Sequence, residues 1–226
     1  FEIPVSDGLC NPAWIIYDLL TNTRYGLGLD ESRLDIASFD DAGTYCETLV
    51  VNPDGTTEVR FCLDIVLEQN VPILDHLRDM LATFRGYLTW SQGVVKLRIA
   101  QAQAVTQSFD MDTIVADSFV WKKQSYRERP NVLRIEYINK ADDFRRDFVE
   151  AFDDWDIDTT GERRERTLRL TGIKRPTQAS RMAQFYLDQA IQINHAIAFR
   201  VGIAALAASP NVTAPARNIT RILVPS

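Results

Sequence analysis

Histidine is almost missing from this chain. His76 and His195 are the only two in 226 residues. Each flanks an apolar stripe and neither belongs to a metal-spaced motif, so both read as satisfied, part-buried side chains. Cysteine is also scarce: Cys10, Cys46 and Cys62, an odd number with no Cys-x-x-Cys pair. That excludes a zinc cluster and a dense disulfide framework. Cys46 and Cys62 fall among apolar residues, which predicts buried free thiols and folding in a reducing cytosol. No apolar run reaches the ~18 residues of a membrane span, and no signal peptide is present, so no membrane insertion is expected of this segment. The chain starts at Phe1 without Met, which suggests a piece of a longer polypeptide.

Positive charge is in deficit. Lys and Arg total 25 against 31 Asp and Glu, a formal charge of -6. Such a balance supplies no drive to condense on nucleic acid or on an anionic membrane. No stable nucleic-acid binding is expected. Lys122, Lys123, Arg127, Arg129, Arg163, Arg164 and Arg166 sit beside acidic residues and read as solvated faces, since long like-charge blocks are absent. Also missing are a Gly-x-Ser-x-Gly elbow, a Walker loop and a Gly-x-Gly-x-x-Gly turn after a strand. The sequence therefore offers no catalytic residue, no metal site and no cofactor site, and an enzyme is not expected.

What is present is an ordinary globular composition, 46% hydrophobic and 25% charged. Asn11-Pro12 opens a helix over 11–22, with Asn as cap and Pro at the first position. Its stripe is Ile15, Ile16, Leu19 and Leu20, and Trp14 is expected to be a large buried ring. Ser38 to Asp41 reads as a capping box that starts a second helix over 39–50. Asn52-Pro53-Asp54-Gly55 is a turn signal, followed by a strand over 58–66. Pro72 starts a third helix through Ile73, Leu77, Met80, Leu81 and Phe84, with Gly86 as its cap. A hairpin follows, with arms 87–90 and 94–99. Strands are expected at 118–126, 131–138, 166–171 and 196–205, with a helix over 177–191 behind Pro176; 144–152 fits both helical and alternating spacing and is read as a strand.

The fold class is therefore α+β: helices in the first third, mixed and mainly antiparallel strands after it, and one late helix. The expected organisation is a helix-rich part at 1–100, a β-rich part with a late helix at 101–206, and a weakly structured tail at 207–226. Glu150, Asp153, Asp154, Asp156 and Asp158 crowd together, but no glycine and no terminal Glu complete a calcium loop. A solvated acidic turn is the expected reading. A hydrolytic carboxylate pair has no motif to support it.

The sharpest signal lies at 11–28. Asn-Pro-Ala-Trp-Ile-Ile-Tyr-Asp-Leu-Leu-Thr-Asn-Thr-Arg-Tyr-Gly-Leu-Gly resembles the signature of phage tail tip attachment proteins. That central tail hub family includes proteins of lambda-like phages, prophages and gene-transfer agents. The matching positions are Asn11, Pro12, Trp14, Tyr17, Asp18, Leu20, Arg24, Tyr25, Gly26 and Gly28. Looser similarity runs on to about residue 206. The resemblance implies a virion structural protein at the tail tip, or baseplate, with tube-like β-barrel hub elements. It implies a homotrimer that contacts a distal tail protein and a tape-measure protein and carries host-recognition parts. Folding and assembly would take place in the bacterial host cytoplasm. A tail-associated cell-wall hydrolase is the alternative. Within the motif, an Asp18–Arg24 pair is expected to lock the helix exit. Any wall facing a DNA channel should be acidic or neutral, and the 150–158 carboxylates are the candidate segment for it.

Overall fold

A computed structural model describes residues 10–67, 71–91, 93–101, 109, 114–123, 125–193 and 195–200. It is an α+β arrangement of five α-helices and nine strands among the described residues. The chain divides into two compact units. The first comprises 1–99, 134–150 and 167–183; the second comprises 100–133, 151–166 and 184–226.

The first unit opens with α1 (Pro12–Thr21), α2 (Ile36–Glu47), the short strands β1 (Leu49–Val51) and β2 (Thr57–Val59), and α3 (Ile73–Thr83). The hairpin β3 (Gly86–Ser91) and β4 (Val94–Ile99) follows, antiparallel, with Gly86 opposite Ile99 and Ser91 opposite Val94. Helix α1 packs on α2 and α3, α2 packs on β4, and α3 packs on β3. Strand β4 alternates cleanly, burying Val95, Leu97 and Ile99, as period-two geometry requires. Ile16, Phe39, Met80, Phe84 and Leu97 are all nearly inaccessible. Each such side chain contributes ~1.5–3 kcal/mol by leaving water.

Further elements are β5 (Val120–Lys123), β6 (Val132–Asn139), β7 (Arg145–Phe152), α4 (Asp154–Thr160), β8 (Glu165–Arg169), α5 (Pro176–Gln192) and β9 (His195–Ala198). Strand β6 is central in a three-stranded sheet ordered β7-β6-β8, and β5 pairs antiparallel with β9. No closed barrel occurs among the described residues. The tail at 207–226 and the end of the strand expected at 196–205 lie outside them.

Late segments complete the first unit. Gln178, from the first turn of α5, is 1% exposed. Its Oε1 accepts from the Cys62 N–H at 3.0 Å, and its Nε2 donates to the Cys62 carbonyl at 3.0 Å and the Thr83 carbonyl at 3.3 Å. Arg181 donates to Glu58 Oε1 at 2.6 Å and Arg175 to Glu58 Oε2 at 3.2 Å. These bonds hold the β1–β2 hairpin to the start of α5. Burial pushes the Glu58 carboxyl up, but Thr177, Arg181 and Arg175 outweigh it and hold the group below its ordinary range.

Several sequence expectations need correction. Helix α2 starts at Ile36, and Ser38 lies inside it. Ser38 Oγ donates to the Asp35 carbonyl and accepts from the Leu97 N–H at 3.0 Å, so this serine joins the helix to β4 and caps nothing. Leu49 and Val50 belong to β1, and the strand expected at 58–66 is confined to Thr57–Val59. The left-handed residue after α3 is Arg85, φ 61°, while Gly86 already begins β3. Cys10 and Cys62 form a disulfide, S–S 2.08 Å, which corrects the free-thiol reading of Cys62. Cys46 is free and buried, as expected.

Candidate functional site

The motif at 11–28 builds both ends of α1. Asn11 is 6% exposed. Its Oδ1 accepts from the Ala13 N–H at 3.1 Å, while Nδ2 donates to the Gly43 carbonyl at 3.2 Å and Glu47 Oε1 at 2.8 Å. One side chain thus caps α1 and ties it to α2. Pro12 takes the first helical position, where its missing N–H costs nothing. Trp14 is half-buried, not the fully buried ring expected, and meets Tyr17 edge-on at 5.9 Å. Tyr17 in turn meets Phe39 edge-on at 5.5 Å. Leu20 is buried.

At the other end the chain folds back over the helix. The last carbonyls of α1 need donors, and the turn supplies them. Asp18 O accepts from Asn22 N at 2.8 Å, Leu19 O from Leu27 N at 2.9 Å, and Leu20 O from Leu29 N at 2.9 Å. Asn22 O takes the N–H groups of Gly26 and Gly28, both at 3.1 Å. A Cβ on Gly26 would lie 2.2 Å from the Leu19 carbonyl oxygen, and Gly28 adopts φ +62°. These two positions need glycine for close approach and for handedness respectively. Gly26→Ala should therefore destabilise the chain by about 2–3 kcal/mol, because the obstructing atom is backbone. Thermal melts of this variant beside the parent would measure the loss. A loss below about 0.5 kcal/mol would remove the close-approach requirement.

Asp18 is closed by Tyr25 and not by the expected Arg24. The Tyr25 hydroxyl donates to Asp18 Oδ2, and this bond holds the phenol protonated above its usual range. Arg24 is exposed, and its backbone N–H donates to Asn22 Oδ1 at 2.9 Å. Asp18 lines an open depression of about 550 Å³ together with Thr23, Asp30 and Glu31. Tyr25 lines a neighbouring cleft of about 430 Å³ with Leu19, Leu67, Val71, Ile73 and His76. Tyr25 is 59% exposed, and Leu27 is exposed beside it. The turn thus exposes an aromatic ring and an aliphatic side chain, with carboxylates close by.

The second unit holds a cluster that sequence reasoning missed. Asp156 is wholly buried, although 150–158 was expected to be a solvated acidic turn. Residues 154–160 form α4, with Asp153 as its cap, accepting from the Asp156 N–H at 3.2 Å. Asp156 Oδ1 accepts from Arg129 at 3.1 Å and from the Tyr126 hydroxyl; Oδ2 accepts from Asn131 at 2.7 Å and from Arg164. Arg129 also lies 3.8 Å from Asp153. Both guanidinium groups stand over the Tyr126 ring, at 4.7 and 5.0 Å from its centroid. Two arginines and two aspartates balance, so the buried charge is compensated. This corrects the solvated reading of Arg129 and Arg164, and it removes Asp156 from any channel-facing wall. Asp154 and Asp158 are exposed. Trp155 and Ile157 interleave with the aspartates, but Trp155 is exposed and i,i+2 residues share no helix face, so nothing local marks Asp156 for burial.

Among the described residues no group of His, Cys, Asp or Glu is arranged to hold a metal ion, and no helix is long and apolar enough to cross a membrane. Residues 72–211 match the family described as "Putative phage tail protein". The chain is 28% identical over 145 residues to tip attachment protein J of Escherichia phage SECphi27, covering 63% of this chain and 12% of that protein. It is 24% identical over 208 residues to tip attachment protein J of Escherichia phage SECphi4, covering 87% of this chain and 17% of that protein. Two solved structures are also similar. One is the virion of a native gene transfer agent particle, with 17% identity, TM-score 0.42, and 53% of this chain and 27% of that chain covered. The other is the 43 kDa tail protein of prophage MuSo2 from Shewanella oneidensis, with 17% identity, TM-score 0.34, and 58% and 37% covered. Neither curated relative is named as a hydrolase. The motif at 11–28 lies outside the matched span, so it and the span are separate signals pointing the same way. Since that span covers more than half of the sequence, the chain belongs to the phage tail protein family.

Proposed function

We infer that this chain is a structural part of the tail tip, a segment of a central hub that closes the tail tube and carries host-recognition parts. The supporting observation is the family match over 72–211, joined to two relatives that bear the name tip attachment protein J. In this reading the protein works in the virion as a homotrimer, assembled in the host cytoplasm. It contacts a distal tail protein and a tape-measure protein. The motif turn is its subunit contact: Tyr25 and Leu27 are the exposed apolar groups there, and an apolar group left in water on a rigid turn suits a neighbouring surface. Ring closure by cyclic symmetry is the ordinary solution at the end of a tube.

The test uses particles that carry the full-length protein. Tyr25→Ala combined with Leu27→Ser should leave tails without tips in electron micrographs, while the melting temperature of the isolated chain falls by only a few degrees. Intact tips would overturn the contact role of the turn. Three copies per tip are expected, and six would overturn the trimer.

A further inference from the structure

All three cysteines border one extended segment, Phe61–Leu63. The Phe61 N–H donates to the Cys46 carbonyl at 3.1 Å, and the Leu63 N–H donates to the Cys10 carbonyl at 2.8 Å. Between them, Cys62 is clasped through both its backbone N–H and its carbonyl by Gln178. Cys62 therefore has its place whether or not its sulfur is bonded. Cys10 is placed too, by the Leu63 bond and by the Asn11 cap that follows it. The disulfide closes a loop of 52 residues containing α1, α2 and the β1–β2 hairpin. Cys10 is half-buried and the more exposed of the pair, whereas Cys46 is wholly inaccessible.

We propose that Cys10 and Cys62 form a redox-set staple: a preorganised dithiol in the folded chain under reducing conditions, and a disulfide that locks the same fold once the protein meets an oxidising medium. The oxidant is a small-molecule disulfide. The Cys10 thiolate attacks one of its sulfurs, giving a mixed disulfide and one released thiol. The Cys62 thiolate then attacks the Cys10 sulfur and expels the second thiol. Two electrons pass from the cysteine sulfurs to the reagent, and the two cysteine protons end on the released thiols. Cys46 stays out of the exchange because no reagent reaches it, and burial pushes its thiol far above the range where a thiolate forms. The lock acts on the unfolded chain, whose freedom a 52-residue loop curtails. It needs nothing from a tail partner and stands whether or not the chain is a hub.

The experiment compares the full chain after dithiothreitol with the same chain after oxidised glutathione. Thiols are counted in denaturant. Three are expected after reduction and one after oxidation, with Cys10 and Cys62 joined in the peptide map. Both forms should melt cooperatively, the oxidised form about 4–16 °C higher. Cys46→Ser should keep this difference, and Cys10→Ser and Cys62→Ser should each abolish it. Three thiols after glutathione would overturn the staple, as would equal melting temperatures or a difference lost in Cys46→Ser. A reduced chain that is unfolded would overturn the switch, leaving the bond as a requirement for folding.

Discussion

Asp156→Ala should lower the stability of the chain by about 3–5 kcal/mol, the cost of removing one partner from a buried ion pair. That corresponds to a fall of roughly 6–20 °C in melting temperature for a protein of this size. The reason lies in what remains. Arg129 and Arg164 are only 16% and 15% exposed, and both deliver their charge to Asp156. Without it, Arg129 keeps Asp153 at 3.8 Å as its carboxylate and the Tyr126 ring beneath it, and Asn131 and the Tyr126 hydroxyl each lose their carboxylate acceptor. Asp154→Ala and Asp158→Ala, two residues away on either side and exposed, should stay within about 0.5 kcal/mol of the parent. Asp156→Asn, which keeps the size and one oxygen, should fall between. Urea titrations of the four proteins separate these outcomes. An Asp156→Ala chain as stable as Asp154→Ala would mean the cluster contributes nothing. The double change with Arg164→Met should cost less than the sum of the two singles, because it removes the stranded charge.

Gln178→Leu should cost about 3 kcal/mol for a different reason. Leucine fills similar space but leaves the Cys62 N–H, the Cys62 carbonyl and the Thr83 carbonyl without the amide that served them. A buried group left unmet costs about 1–3 kcal/mol, and the N–H is the least tolerant of the three. Gln178→Glu keeps the acceptor for the Cys62 N–H but loses the donor, so it should be milder at neutral pH only if water reaches the freed carbonyls. Amide hydrogen exchange gives a local reading. The Cys62 N–H should be among the slowest in the parent and faster than in proportion to global stability in Gln178→Leu. Unchanged protection at Cys62 would show that the clasp is dispensable.

The local signals in the sequence were reliable where a single turn of chain decides the outcome. Asn11-Pro12 starts α1, Pro72 precedes α3, and the hairpin at 86–99 has the expected arms. They failed where a distant partner decides. Ser38 looks like a cap until β4, 59 residues on, claims its hydroxyl. Cys62 looks like an isolated apolar thiol until Cys10 is brought beside it. Asp156 looks like one solvated carboxylate among several, because its cations lie 27 residues before it and 8 after. Local pattern carries no record of which charge turns inward. Within the motif, Gly26 and Gly28 were legible as turn residues, but Tyr25 rather than Arg24 reaches Asp18, a choice set by the geometry of the fold-back.

The two units are interleaved along the chain, since β6, β7, β8 and α5 each contribute residues to both. The first unit is unfinished until the ribosome has delivered Gln178, 116 residues after the Cys62 it clasps. Heredity meets the same constraint. A recombination joint placed anywhere between codons 58 and 181 would hand one parent's Glu58 to the other parent's Arg181, a contact that needs both side chains. Exchange among related phages should therefore leave this stretch whole, with joints falling outside it, so that the segment is inherited as a single block.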